Sequence, residues 1–432
     1  MLRRQITKQL PALILLLTLL SVTQWLKITI ANTFIAWFIY AWIIWIFVKY
    51  ARSKYTVSHI DITYKKLLIV YFVWIAICIL RGVVMCLEMG NYWIWKQLFA
   101  GTFALLLPTC IYVFSESDIT QHVTRIWFKY ALWIFLLITP FLPVDAYHFY
   151  LGPVILMGCF IPLLPKKWKI IVGVLVFVML VGEFGARSQI IKAFVASVIS
   201  VMCLFRRLIS DKMIRIGHWT CYIMAIALLV LGISGRFNVF QDINESSQGK
   251  YTGTKMKDGQ QVTEDYTTDT RTFIYVEVIE SALDHNYVIW GRTPARGNDS
   301  SFFGDYMAEE LKTGLYERHS NELVHTNVFT WAGIIGVILY ALLYLRASWL
   351  AVYRSKNYYI KLLGVFVAFR WMYGWVEDFN RFDIMNISLW MMIAICCSTM
   401  FREMSDTDFE QWIKGVFAKR AQFVFNTLRL KK

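Results

Sequence analysis

Seven side chains carry most of the chemistry open to this sequence: the arginines Arg187, Arg271, Arg292 and Arg296, and the acid–base trio His319, Glu322 and His325. A guanidinium presents several N–H donors in a planar fork that fits phosphate or carboxylate oxygens, so arginines set among hydroxyls and glycines suit an anionic ligand. Two imidazoles flanking a carboxylate supply a base with an orienting partner. On a helix, the i, i+3, i+6 spacing of His319, Glu322 and His325 would put all three on one face. A zinc site could use the same atoms, but no HExxH pattern or further ligand cluster accompanies them, and no metal is expected. The competing structural reading is a polar helix cap with solvated histidines.

Each arginine has its own setting. Arg187 follows the end of an apolar run in Gly185-Ala186-Arg187-Ser188-Gln189, and an ionisable group at that depth must face a partner, water or a ligand. A salt bridge to Glu183 at i,i+4 is the structural alternative. Arg271 opens an amphipathic segment, Thr270 to Leu283, in which Ile274, Val278 and Leu283 share a face with Phe273 and Ala282 and Asp269 can cap the start. A helix is expected there, although the β-branched content leaves a strand open. An anion at its beginning would meet both a guanidinium and free backbone N–H groups. Arg292 and Arg296 stand in Trp290-Gly291-Arg292-Thr293-Pro294-Ala295-Arg296-Gly297, a segment that cannot be regular helix and that either wraps an anion or forms a solvated turn.

The elements that must hold these groups follow from composition. Hydrophobic residues make up 58% of the 432, charged residues 17%, and the mean hydropathy is +0.50, which excludes an ordinary soluble domain and indicates a polytopic membrane protein. The expected fold is all-α, with about twelve transmembrane helices and one large, partly helical periplasmic loop. Residues 1–235 supply about nine spans, 236–326 the loop, 327–401 about three more spans, and 402–432 a basic amphipathic cytoplasmic tail. The formal charge of +15 is unevenly spread. The stretch 236–326 holds nine of the 44 Lys and Arg but fifteen of the 29 Asp and Glu, so the positive excess lies between the spans. That distribution suits topology and anionic lipid, and no nucleic-acid partner is expected. Basic residues gather in alternate connections, such as Lys65 and Lys66, Lys166 and Lys167, and Arg354 and Lys356. This gives an orientation with both termini in the cytoplasm.

Smaller features complete the reading. All eight cysteines fall in apolar runs and read as buried packing. Arg81 and Arg370 interrupt apolar runs and are expected to bind lipid phosphate or to snorkel and pair, with Glu88 or Glu377 as partners. The opening third of the loop, through Asp269, reads as turn-rich spacer. In the tail, Phe409, Trp412, Ile413, Val416 and Phe417 form an apolar face expected to lie on the inner membrane surface, with a partner-binding helix as the alternative.

The combination of Ala186-Arg187-Ser188 at a span end, an Arg271-led amphipathic helix in a large external loop, the Gly291-Arg292 turn, a His/Asn/Glu block and then Gly333-x-x-Gly336 resembles the O-antigen polymerase and O-antigen ligase superfamily. The likeness covers residues from about Gly182 to Tyr340. It implies a metal-independent, cofactor-free inverting glycosyltransferase of the GT-C type in the bacterial inner membrane. The implied donor is an undecaprenyl-diphosphate-linked glycan, and the implied partners are a chain-length regulator, a flippase and membrane lipid. Arg187 and Arg271 would clamp the diphosphate, Arg292 and Arg296 would assist, and a loop His or Glu would activate the acceptor hydroxyl. Where ligases of the family place a histidine, eleven residues before the first glycine of Gly-x-x-Gly, this chain has Glu322. That departure favours a polymerase, or a relative that extends a capsular polysaccharide or exopolysaccharide, over a ligase and leaves the base among His319, Glu322 and His325. A transporter of polyprenyl-linked sugars is the alternative from another class, and it should show internal repeats and broken helices with polar groups at mid-membrane.

Overall fold

The computed structural model describes residues 2–23, 33–52, 59–142, 146–182, 187–233, 252–257, 260–265, 272–301, 303–310 and 313–418. The chain is mostly helical. Its longer helices are α1 (Leu2–Thr23), α2 (Thr33–Ala51), α3 (Ile62–Met89), α4 (Tyr92–Leu105), α5 (Ser117–Ile126), α6 (Lys166–Val181), α7 (Arg187–Leu204), α8 (Asp211–Ile233), α9 (Thr272–Asp284), α10 (Val324–Arg354), α11 (Tyr358–Tyr373), α12 (Ile384–Cys397) and α13 (Asp406–Val416). Among the described residues, six helical stretches are long and apolar enough to cross a membrane: Ile6–Thr23, Thr33–Ala51, Ile62–Met89, Tyr92–Phe114, Ser117–Phe141 and Val324–Arg354. Ser188–Leu204 and Ile384–Cys397 are apolar but shorter.

Burial sorts these helices. Every residue of α12 is buried, as expected of a helix that is apolar all round, and α10 and α11 pack beside it. By contrast α3 buries only one stripe, Tyr64, Leu68, Tyr71, Ile75 and Cys78, and leaves Ile69, Val73, Ile77, Leu80, Val84 and Leu87 exposed. A long helix with an exposed apolar face needs an apolar solvent. The apolar stretch from Tyr147 to Leu163 is three short pieces, Tyr147–Tyr150, Gly152–Gly158 and Ile161–Leu163, with Pro153 and Pro162 at the starts of the second and third.

Three expectations are revised. The opening of the loop is more than spacer: β1 (Thr252–Lys257) pairs antiparallel with β2 (Gln260–Asp265), across a connection whose sequence, Asp258-Gly259, favours a hairpin. The apolar face of the tail helix α13 meets protein, since Phe409, Trp412 and Ile413 are wholly buried. Trp412 Nε1 donates to the Ser117 carbonyl at 2.9 Å, and Gln121 and Arg125 of α5 donate to the Trp412 and Gly415 carbonyls. Amphipathic spacing specifies that a face is covered but not by what. Arg370 does pair with Glu377, at 2.9 Å. Arg81 takes neither partner expected of it and donates to the Trp290 and Gly291 carbonyls at 2.8 and 3.1 Å. Seven of the cysteines are buried and Cys221 is half-buried.

Candidate functional site

The seven chemistry-bearing residues part company in the fold. Arg271 lies outside the described residues, as does Glu183, the i,i+4 partner considered for Arg187. Helix α9 forms as expected with Ile274, Val278 and Ala282 buried, but Leu283 is 61% exposed. Arg292 and Arg296 are held by carboxylates. Arg296 grips Glu317 through Nε and NH2, and Arg292 reaches Glu317 at 2.9 Å and Asp299 at 2.7 Å. Glu317 and Arg318 (β4) pair with Asn298 and Asp299 (β3), so this two-stranded ribbon positions both acids. Two arginines thus face two carboxylates, which leaves no positive excess for a ligand. The fit raises Arg296 through its hydrogen bonds to Glu317. Partial burial works against ionisation of Asp299, but hydrogen bonds from Arg292 and His285 hold it below the usual aspartate range.

The His/Glu block is not helical, because α10 starts only at Val324, after an extended Leu323 (φ −129°, ψ 125°). His319 and His325 therefore do not share a face with Glu322. His319 Nε2 donates to the Pro294 carbonyl at 2.9 Å, its ring stacks on Trp331, and burial pushes its imidazole down to about 4. His325 Nε2 donates to the Trp371 carbonyl at 3.0 Å, with its ring 4.3 Å from that of Trp375. Both histidines tie backbone segments together.

Glu322 lines a cleft of about 170 Å³ that four separated parts of the chain build: Phe149, then Ser188, Gln189 and Lys192 of α7, Glu322 itself, and residues between Glu377 and Asn386. Arg187 opens α7, so the first turn of that helix, whose N–H groups lack intrahelical acceptors, borders the cleft. At the floor Glu377 takes hydrogen bonds from both Lys192 and Arg370, and all three are buried. Burial alone would raise Glu377, but the two cations together hold it below the usual glutamate range. One carboxylate between two cations leaves a surplus positive charge, which an interior tolerates only with further anions nearby.

Those anions line the cleft. Burial pushes Asp378 up; one oxygen accepts from Asn380 N at 2.8 Å and Asn327 Nδ2 at 3.2 Å, and the other lies 3.6 Å from Arg381 Nε. Asp383 caps α12 by accepting from Asn386 N at 2.8 Å, and burial pushes it up to about 7. Asn327 also accepts from the Asn321 backbone N–H at 2.6 Å and donates to the Asn321 carbonyl at 3.0 Å, so it fixes the approach of residues 320–322 to the cleft. Among the described residues no set of three His, Cys, Asp or Glu side chains converges as a metal centre. The arrangement sets a helix N-terminus, Lys192 and Arg381 beside four carboxyl groups, Glu322, Glu377, Asp378 and Asp383, and burial raises the last two, Asp383 to about 7.

No family model matches the chain, and neither a curated protein nor a solved structure matches it. Of the groups at the cleft, the sequence singles out Glu322 and the Arg370–Glu377 pair but not Asp378, Asp383 or Arg381. The available signal was the acid-rich run Glu377-Asp378-Phe379-Asn380-Arg381-Phe382-Asp383 between two apolar helices.

Proposed function

We propose that the chain is a membrane glycosyltransferase that joins oligosaccharide repeat units carried on undecaprenyl diphosphate, at the periplasmic face of a bacterial inner membrane. In this reading it has about twelve spans and both termini in the cytoplasm. The observation that carries it is the cleft in which the start of α7, the buried Lys192–Glu377–Arg370 cluster and two carboxylates of raised proton affinity come together. The donor diphosphate sits against Arg187 and the first turn of α7, with Arg271 as the second clamp and Arg381 at the rim. Arg292 and Arg296 serve by holding the ribbon that carries Glu317. Asp383, with Glu322 as the alternative, takes the proton from the acceptor hydroxyl as that oxygen attacks the anomeric carbon. The bond from that carbon to the diphosphate oxygen breaks on the opposite face, and undecaprenyl diphosphate leaves with the charge that the cations stabilise.

A transporter of the same lipid is the second reading. It draws support from the break in α10 at Gly333, φ 69°, and from the buried Lys192–Glu377–Arg370 cluster. Incubating the purified protein with a labelled undecaprenyl-diphosphate oligosaccharide and EDTA separates the readings. A ladder of lengthened lipid-linked glycan supports the polymerase, and transfer only to an added lipid A-core makes the protein a ligase. Passage of unaltered lipid across a bilayer without transfer refutes the enzyme.

A further inference from the structure

The Gly-Arg segment is not an ordinary surface turn. Residues 288–296 thread between α3, α4 and α10. Trp290 stacks on Trp74 with ring centroids 5.2 Å apart, and Pro294 packs over Gly101 of α4. Gly82 of α3 lies against Thr293 and Ala295. The backbones of Gly291 and Gly333 meet so closely that a Cβ on either would collide with the other segment.

Depth follows from the helices. Arg346 of α10 reaches Asp61 and Thr63 at the start of α3, which marks one charged boundary. At about 1.5 Å per residue, Gly333 lies about 20 Å from Arg346 and Trp74 about 16 Å from Thr63. Both fall inside a hydrocarbon layer about 30 Å thick. Irregular backbone survives at such depth only when its polar groups are paired by protein. They are paired here. Arg81 takes the carbonyls of Trp290 and Gly291, and Arg292 N donates to the Thr330 carbonyl. Ile334 N donates to the Val288 carbonyl, and Trp74 Nε1 to that of Ala332. This gives the intramembrane Arg81 and the break at Gly333 a common purpose.

The side chains on the open side are apolar. Ile289 is 54% and Trp290 51% exposed, between the exposed Val73, Ile77 and Leu80 of α3 and the exposed Ile334 and Ile338 of α10. Along α9 the exposed Val276, Ile279 and Leu283 form a second narrow stripe, opposite the buried face of Ile274 and Val278, with Glu280 and Asp284 at its edge. We propose that Ile289 and Trp290, together with the Val276–Ile279–Leu283 stripe of α9, form a membrane-inserted surface whose partner is the acyl chains of bilayer lipid on the loop side. The argument for lipid, rather than a protein partner, is that Trp290 stacks on Trp74 of the spanning helix α3, beside the exposed Val73 and Ile77, and that the Leu283 end of the α9 stripe stands six residues before Ile289. This surface does not depend on the glycosyltransferase reading.

The test uses the full-length protein in liposomes, with Cys221→Ser removing the one cysteine that is not buried. Nitroxide labels are placed at Ile279→Cys, Leu283→Cys and Trp290→Cys, with Asp305→Cys, in the exposed polar part of the loop, as the control. Dissolved oxygen should reach the first three labels severalfold better than a polar nickel chelate does, with the order reversed at Asp305→Cys. Preferential access of the chelate at positions 279 and 283 would overturn the proposal, and so would exclusion of both reagents, which would mean cover by protein. Ile279 and Leu283 are more than half exposed, so the test stands even if the Trp290 variant fails to fold.

Discussion

Replacing Glu377 with glutamine tests the floor of the cleft. The side chain keeps its size but loses the charge that Lys192 and Arg370 share, and it cannot accept from both cations through two anionic oxygens. Lys192 and Arg370 are only 2% and 3% exposed, so neither can turn to water. Removing one partner of a buried ion pair costs about 3–5 kcal/mol, because the remaining charge is left uncompensated. Asp383 and Asp378 lie close enough to recover part of this by ionising, so a loss near 3 kcal/mol is expected. Lys192→Met should behave differently, since it leaves a balanced Arg370–Glu377 pair and fills the space with an apolar chain; a change under about 1.5 kcal/mol is expected. Stability would be read by SDS titration of the purified protein in mixed micelles, following tryptophan fluorescence. Equal losses in the two variants, or a Glu377→Gln protein as stable as wild type, would refute the surplus-charge description.

Three further outcomes follow from particular contacts. Because Asp383 is raised to about 7 when folded, folding takes up a proton as pH rises from about 4 to 7. Its contribution therefore lowers stability across that window, and Asp383→Asn should flatten the pH profile of unfolding there; an unchanged profile would show that another group titrates. Gly333→Ala puts a side chain at φ 69° against the Ile289 carbonyl and should cost at least about 2 kcal/mol, with faster proteolysis of the loop; wild-type resistance would contradict the close approach. Trp412→Ala empties a fully buried site and removes a donor to Ser117, for a loss of about 3–5 kcal/mol. Tight membrane binding by an isolated α13 peptide, with no loss of stability in Trp412→Ala, would instead return that helix to the bilayer surface.

The six long apolar helices were legible in the sequence because a run of about twenty apolar residues has few alternatives to a buried helix. The pairing of Arg370 with Glu377 was legible for the same reason, since a charge in such a run must find a partner and one stood seven residues away. The cleft was not legible. Lys192, Glu322 and Asp383 meet only through the packing of α7, α10 and α12, and no local spacing encodes that. His319 and His325 had helical spacing, but residues 317–323 follow the ribbon that Arg292 and Arg296 impose through Glu317, an acid twenty-one residues beyond Arg296. The purpose of Arg81 needed the path of residues 288–296, because its acceptors are carbonyls that composition does not report.

The anion site itself is tested most directly by equilibrium binding of undecaprenyl diphosphate to the purified protein in EDTA, comparing wild type with Arg187→Ala and Arg381→Ala. In the proposed reading each substitution removes a charge-assisted contact to the diphosphate and weakens binding by about tenfold or more, roughly 1.4 kcal/mol. Affinity unaltered in both variants would show that the diphosphate does not bind in this cleft.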